Sequence, residues 1–198
     1  KFDFVELPNK KTNWITNSKK LTPGSPITLE WENSQGTVFQ KIIEIDDQYM
    51  FKVTDKVINN GNKNLKLYPY GQIIRDGAPE TQGFFILHEG PIGVFDGILE
   101  QPDYEDVVEA NQENSPIEFN PSEKGGWIGI TDKYWLAAMV PDKSKTSEYK
   151  YIHKKSSRPC LSEKSNLINI TPTTQKGPCG VFVIQQLTEP IIAGPGGN

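Results

Sequence analysis

The sequence predicts an all-β, antiparallel fold. Strand-sized segments with alternating apolar and polar residues recur, with turn residues between them, as far as residue 140. Strands do not alternate with helical segments, as they would in a parallel α/β fold. The 17 Gly and 15 Pro residues suit a chain with many turns. At 198 residues the chain is of ordinary length for one all-β domain.

Five strands are predicted in the first 68 residues, mainly from alternation. In residues 26–32, Ile27, Leu29 and Trp31 face one side and polar residues face the other, as in a half-buried strand. The remaining predictions of this region are a loose strand at 1–7, strands at 37–45, 49–57 and 65–68, a turn at 46–48, and a tight hairpin turn at 59–62, where Asn and Gly tolerate positive φ.

The middle of the chain predicts further strand pairs and one helix. Residues 84–87 and 92–99 form a predicted pair across the turn 88–91. Residues 103–110 are the helix candidate, with acidic residues in the first turn where the helix dipole favours them. A short strand is expected at 117–119, before Asn120-Pro121.

Residues 125–141 predict a hairpin around which the fold is organised. Two apolar runs, 127–130 and 134–140, flank the polar trio Thr131-Asp132-Lys133. Glycines before the second run and Pro141 after it favour strands over a helix. The simplest interpretation of this segment is purely structural: a buried hairpin whose aromatic side chains pack in the core.

Four blocks of sequence, in order, resemble the periplasmic domain of YidC, the bacterial membrane protein insertase. The resemblance covers roughly residues 14–141, and its blocks are Leu21-Thr22-Pro23 to Phe39, residues 45–51, residues 68–75 with 83–94, and the Gly125-Gly126-Trp127 segment that closes at Pro141. It implies an antiparallel β-super-sandwich of the galactose-mutarotase-like kind, two large sheets packed face to face.

The same resemblance divides the chain. Residues 1–155 are expected to form the super-sandwich domain, beginning later than the family's domain normally does. Residues 156–198 do not follow the family pattern, and one further strand is expected there, at 181–184.

The resemblance also implies a function. It predicts a non-catalytic domain without a cofactor, on the periplasmic face of the inner membrane, in a full-length protein that crosses the membrane several times. Its expected partners are the SecDF complex (SecF in particular), the Sec translocon and nascent membrane proteins. The residues that bind these partners are not predicted. The insertase's membrane groove lies outside the resemblance, so no residue here inherits that role.

Charge, hydropathy and cysteine content argue against nucleic-acid binding, membrane-spanning helices and a cysteine metal site. With 21 basic and 25 acidic residues the net charge is −4, so there is no basic surplus for nucleic acid or for an anionic membrane. No run reaches the roughly 18 apolar residues of a membrane helix. Cys160 and Cys179 allow one disulfide at most, which an oxidising periplasm would permit, and their spacing does not suit a metal site.

Few residues are candidates for catalysis. His88-Glu89 and His153 are possible acid–base groups, but adjacent residues of a strand point to opposite faces. The other candidates are predicted to be structural: the turn pair Asp46-Asp47, the helix-end pair Glu105-Asp106, the hairpin turn Asp96-Gly97 and the weak glycosylation sequon Asn169-Ile170-Thr171.

The four tryptophans leave one rival function open. Trp14, Trp31, Trp127 and Trp135 are expected to be core residues. Alternatively, their rings could line a groove for a sugar or a peptide. A carbohydrate-binding module or a mutarotase-like epimerase would then be the function, and it would need a histidine and a carboxylate that converge in a concave cleft.

Overall fold

The computed structural model describes residues 5–78, 87–121, 123–132, 134–155 and 180–195. Its strands pair antiparallel, and the predicted all-β, antiparallel class is confirmed. The strands in chain order are β1 (Ile15–Thr16), β2 (Ile27–Glu32), β3 (Thr37–Ile45), β4 (Phe51–Asn59), β5 (Leu65–Leu67), β6 (Tyr70–Asp76), β7 (Gly90–Phe95), β8 (Ile98–Glu100), β9 (Ile117–Phe119), β10 (Trp127–Asp132), β11 (Trp135–Met139), β12 (Ser147–Lys155), β13 (Gly180–Thr188) and β14 (Ile191–Ala193). The helix α1 is Tyr104–Gln112.

The chain divides into two compact units. The first comprises Lys1–Pro69 with Pro190–Asn198, and the second comprises Tyr70–Glu189. The domain boundary that the sequence suggests near residue 155 stays a prediction.

The first unit is built on a four-stranded sheet in the order β1-β2-β3-β4. Strands predicted at 26–32 and 37–45 are confirmed. The strand predicted at 49–57 begins two residues later, at Phe51. The reason is local, because the Asp46 carboxylate accepts hydrogen bonds from the backbone N–H groups of Gln48 and Met50 and so prolongs the turn.

The hairpin predicted at residues 59–62 is wrong. Strand β5 pairs with β14 from the end of the chain, and β4 pairs with β3. The side-chain amide of Asn59 explains the difference, since it donates to the carbonyls of Lys63 (2.7 Å) and Ala193 (3.0 Å). The Asn59 side chain therefore links the end of β4 to the β5–β14 pair, and the chain does not form a tight hairpin between β4 and β5.

The second unit is a sandwich of two sheets. The sheet β11-β10-β7-β8 packs against the sheet β6-β13-β12-β9, and α1 covers part of the same core. The side chains buried between these elements include Phe95, Ile128, Ile130, Tyr149, Tyr151, Phe182, Tyr104 and Val107. Rings of Phe95 and Phe119 stack at 4.2 Å between centroids, which joins β7 of one sheet to β9 of the other.

The predicted helix and hairpin turns of this unit have clear local causes. The helix expected at 103–110 is α1, whose start is fixed where the backbone N–H of Asp103 donates to the Asp106 carboxylate over 2.8 Å. Asp96 and Gly97 have φ values of 49° and 78° and make the predicted turn. This turn divides the predicted strand 92–99 into β7 and β8.

Two predictions near the start of β7 and at the N-terminus need correction. Gly90 and Pro91, expected in a turn, belong to β7, which pairs with β10. Residues 5–7 are not in a strand, and residues 1–4 lie outside the described residues. Also outside them are residues 84–86 of a predicted strand, Cys160, Cys179 and the sequon at 169–171.

Strands β6, β12 and β14 were not predicted. Residues 143–155 are mostly polar and basic, yet β12 alternates buried Tyr149 and Tyr151 with outward Glu148 and Lys150. That alternation was the available signal. The strand expected at 181–184 lies within the longer β13.

Candidate protein-docking surface

The candidate catalytic groups have local structural contacts. The Nε2 atom of His88 lies 2.8 Å from the carbonyl oxygen of Pro91. His153, on β12, packs its ring 4.9 Å from that of Phe182 in the core of the second unit. Asp46 holds its turn and Asp106 caps α1. Within the described ranges, no group of three or more His, Cys, Asp or Glu side chains is placed to hold a metal ion.

The expectation that all four tryptophans belong to the core is wrong for Trp135. Its side chain is 80% exposed, whereas Trp14, Trp31 and Trp127 are partly buried. Trp31 stacks on Phe39 at 5.7 Å between ring centroids. The buried-hairpin interpretation of residues 125–141 therefore holds for β10, which carries buried Ile128 and Ile130, and fails for β11.

Strand β11 is exposed on both faces. Residues 135–138 are all exposed, although their side chains are Trp, Leu, Ala and Ala. Exposed Val140 extends this surface, as does Tyr134. We call residues 134–140 the β11 surface. A contiguous apolar strand of this kind, open to water, is typical of a protein-interaction site.

Pairing of β11 with β10 depends on Gly129. A Cβ atom at that position would lie 2.5 Å from the carbonyl oxygen of Ala137 and 3.1 Å from the Cβ of Ala138. The missing side chain lets β11 lie close to β10 along the register Gly129↔Ala138. Gly129 and the two alanines thus explain locally how β11 can lie close against β10.

Strand β6 borders the β11 surface. A Cβ on Gly71 would lie 2.8 Å from the sulfur of Met139, so the last residue of β11 is in contact with the start of β6. On the outward face of β6, Tyr70 and Ile74 are exposed. The open part of β11 is therefore residues 135–138, with further exposed apolar side chains on a neighbouring strand.

Near the β11 surface, an ion pair joins β6 of one sheet to β10 of the other. An Arg75 side-chain nitrogen (Nη2) donates to a carboxylate oxygen (Oδ2) of Asp132 over 2.9 Å, and both side chains are about 30% exposed. Nearby, the Tyr104 hydroxyl is buried without a hydrogen-bond partner in the structure. Burial raises the pKa of Tyr104 to about 12, an effect that the positive charge of Arg75 partly offsets. The hydroxyl is therefore neutral at physiological pH.

Comparison with known protein families shows which family this chain belongs to. The sequence model of the YidC periplasmic domain matches residues 3–176. This chain belongs to the YidC periplasmic domain family. The resemblance predicted from four blocks of sequence is confirmed, and the match extends beyond them in both directions.

Curated relatives agree with this assignment. Three examples are proteins named "Membrane protein insertase YidC": from Granulibacter bethesdensis, 40% identical over 147 residues (74% of this chain and 25% of the relative); from Methylobacterium nodulans, 45% over 140 residues (69% and 23%); and from Pelagibacter ubique, 38% over 151 residues (74% and 26%). The YidC-like chain thus spans about a quarter of the length of these relatives. In its described part, no helix has the length and apolar character to cross a membrane.

Proposed function

We propose that this domain is a non-catalytic docking platform that assists membrane protein insertion and folding. It would act on the periplasmic face of the inner membrane, in a full-length protein that crosses the membrane several times. Its partners would be the SecDF complex, with SecF in particular, the Sec translocon and nascent membrane proteins. The observation that carries the proposal is the β11 surface, where Trp135 is 80% exposed on a strand made of apolar residues.

The chemistry of the β11 surface supports protein contact. Tryptophan is enriched among the residues that dominate binding energy at protein interfaces, because its ring buries a large area and its indole N–H finds a partner. Leu136 and Val140 add exposed aliphatic area beside it. Solvation of this much apolar surface is unfavourable in the isolated domain, so a partner that covers it gains free energy.

The rival function is sugar binding or epimerisation, and it would need a histidine and a carboxylate converging on a cleft. The contact of His88 is with the Pro91 carbonyl and that of His153 is with the Phe182 ring, so neither of these two contacts is the histidine–carboxylate pair that this chemistry needs. A thermal-shift series with millimolar sugars addresses the rival directly. Stabilisation of the domain by a sugar would favour it over the docking platform.

Binding of the SecDF periplasmic domains tests the proposal. We expect immobilised wild-type domain to retain them, and Trp135→Ala to weaken binding by about tenfold or more, as for an interface hot spot. Tyr49→Ala is the matched control, since Tyr49 is also 80% exposed but lies in the other unit. Absence of association with the intact wild-type domain, or equal losses for both variants, would contradict the proposal.

A further inference from the structure

Strand β11 is an open edge of its sheet. The sheet runs in the order β11-β10-β7-β8, so β11 pairs with β10 on one side and with no strand of the described residues on the other. In an antiparallel ladder, alternate residues of an edge strand direct their N–H and C=O groups away from the neighbouring strand. Residues 135–138 therefore present apolar side chains on both faces, and alternate residues among them direct backbone groups to the open side. The carbonyl of Trp135 is not one of these groups, because it accepts a hydrogen bond from the Thr131 hydroxyl over 3.3 Å.

The other described edge strands carry the usual protection against strand addition. Strand β4 has Lys52, Asp55 and Lys56, and β6 has Arg75 and Asp76. The remaining edges, β1, β5, β8, β9 and β14, are three residues long or shorter. Charge and brevity are the common devices by which proteins prevent a new strand from pairing with an edge. Among the described edges, β11 is the longest that has neither a charged residue nor proline.

We propose that β11 accepts an extended, uncharged segment of a partner polypeptide as an added antiparallel strand. This inference rests on the proposed docking function and names the kind of segment that would bind. Backbone hydrogen bonds supply the pairing, and exposed side chains on both faces of β11 pack against alternate residues of the added strand.

The neutral character of β11 determines which segments fit. No side chain from Trp135 to Met139 carries a charge. A charged residue placed opposite Leu136 or Ala138 would lose water without gaining an opposite charge. Segments with aliphatic or small polar side chains meet no such penalty, and extended stretches of apolar polypeptide are the partner class that this edge selects.

Peptide binding to the full chain, followed by fluorescence anisotropy, tests strand addition. The probe is a labelled heptapeptide of alternating valine and threonine. One control peptide has every backbone nitrogen methylated, which removes its hydrogen-bond donors but keeps its side chains. A second has lysine at the central position. We expect each control to bind at least about tenfold more weakly than the probe. Equal binding of the methylated peptide, or no binding of the probe, overturns strand addition.

Two variants locate the site on the chain. Leu136→Lys places a charge on the open edge at an exposed position, and we expect it to weaken probe binding by about tenfold or more. Thr54→Lys is the matched control on β4, at another exposed edge position, and it should leave binding unchanged. Circular dichroism and thermal unfolding check that both variants are folded. Equal effects of the two variants would overturn the assignment to β11.

Failure of strand addition and failure of the docking function give different results. If SecDF domains bind in a Trp135-dependent way but the backbone-methylated peptide competes as well as the probe, strand addition is overturned and docking stands. If the probe binds β11 but SecDF domains do not associate, docking to that complex fails alone. Concentration-dependent self-association that Leu136→Lys abolishes would overturn the partner proposal in favour of a second copy of this chain.

Discussion

The hydroxyl of Tyr149 donates a hydrogen bond to the carbonyl oxygen of Gly125 over 2.9 Å. Tyr149 lies fully buried on β12, in one sheet of the second unit, and Gly125 precedes β10 in the other. The bond therefore joins the two sheets at the Gly-Gly-Trp segment by which the sequence resembles its family. A buried hydroxyl needs a hydrogen-bond acceptor, and the Gly125 carbonyl supplies one because no side chain at Gly125 covers it.

Tyr149→Phe should destabilise the domain by about 1 kcal/mol, the net value of a buried hydrogen bond whose acceptor is left unpaired. Tyr104→Phe is the matched control. Its hydroxyl is equally buried but has no partner in the structure, so its removal should be neutral or stabilising. Denaturant-induced unfolding of the two variants and the wild type measures both effects. A larger loss for Tyr104→Phe than for Tyr149→Phe would contradict the assigned bond.

Gly126→Ala should be strongly destabilising, by about 3 kcal/mol or more, because strain and a clash act together. Gly126 has a φ of +81°, and a Cβ there would lie 2.5 Å from the carbonyl oxygen of Val94. Gly36→Ala separates the two causes, since Gly36 has a similar φ of +79° but nothing within 4 Å. It should cost only about 1 kcal/mol, from the backbone conformation alone. Thermal unfolding should rank the two variants in this order.

The strands that could be predicted best from the sequence are those in which apolar and polar residues alternate within the strand itself. In β2 and β3, paired residues such as Ile27 and Ile43 share the apolar face, so the pattern follows directly from the pleat. The pairing of β5 with β14 could not be predicted in this way. It joins residues more than 120 positions apart, as in Leu65↔Ala193, and no short-range pattern encodes such a partner.

The candidate site escaped prediction for a different reason. An apolar run such as residues 134–140 indicates a strand, but composition alone does not indicate whether a neighbour covers it. Exposure of Trp135 follows from the position of β11 at the edge of its sheet, which is a property of the topology. The absence of charge along this strand was visible in the sequence and becomes informative only once the edge is known.

Trp135 should account for most of the tryptophan fluorescence that acrylamide quenches efficiently. The other three tryptophans are partly buried, and Trp31 is shielded by its stack on Phe39. Trp135→Phe should therefore shift the emission maximum of the native protein to shorter wavelength and reduce the quenching constant. Trp31→Phe is the comparison variant, and it should leave the easily quenched component in place. A quenching constant in Trp135→Phe that equals that of the wild type would contradict the exposure of β11.

Stability should fall at alkaline pH because of Tyr104. Burial, the main cause, raises the pKa of its hydroxyl from 10.0 to about 12. The unfolded chain releases this proton near pH 10, so the contribution is intact below that pH and is lost as pH rises towards 12. Since one pKa unit corresponds to about 1.4 kcal/mol, Tyr104 alone accounts for a loss of at most about 3 kcal/mol.

Denaturant unfolding at about pH 9 and about pH 11 measures this loss, and Tyr104→Phe should show a smaller difference between the two conditions. Phenolate absorbance gives a second readout. Burial also raises the pKa of Tyr149 and of Tyr151, so these two hydroxyls should keep their protons to higher pH in the folded domain than in the unfolded chain. Titration of Tyr104, Tyr149 and Tyr151 near pH 10 in the folded protein would show that the three side chains are not buried as described.

Two ion pairs of equal length should differ in strength because they differ in exposure. Arg75–Asp132 and Lys52–Glu44 both span 2.9 Å. The side chains of the first pair are 28% and 31% exposed, whereas those of the second are 72% and 42% exposed. Water and salt screen the second pair more completely, so distance alone does not set the interaction energy.

Double-mutant cycles to alanine measure both couplings. We expect about 1 kcal/mol or more for Arg75–Asp132 and about 0 to 0.5 kcal/mol for Lys52–Glu44, with the second vanishing first as salt is added. The Arg75 pair joins β6 to β10 across the two sheets, so its loss should also loosen the edge where β11 is held. Faster amide hydrogen exchange in β10 and β11 of Arg75→Ala, beyond that in Lys52→Ala, would show this coupling. Equal coupling energies for the two pairs would mean that the Arg75 site is as open to solvent as the surface pair.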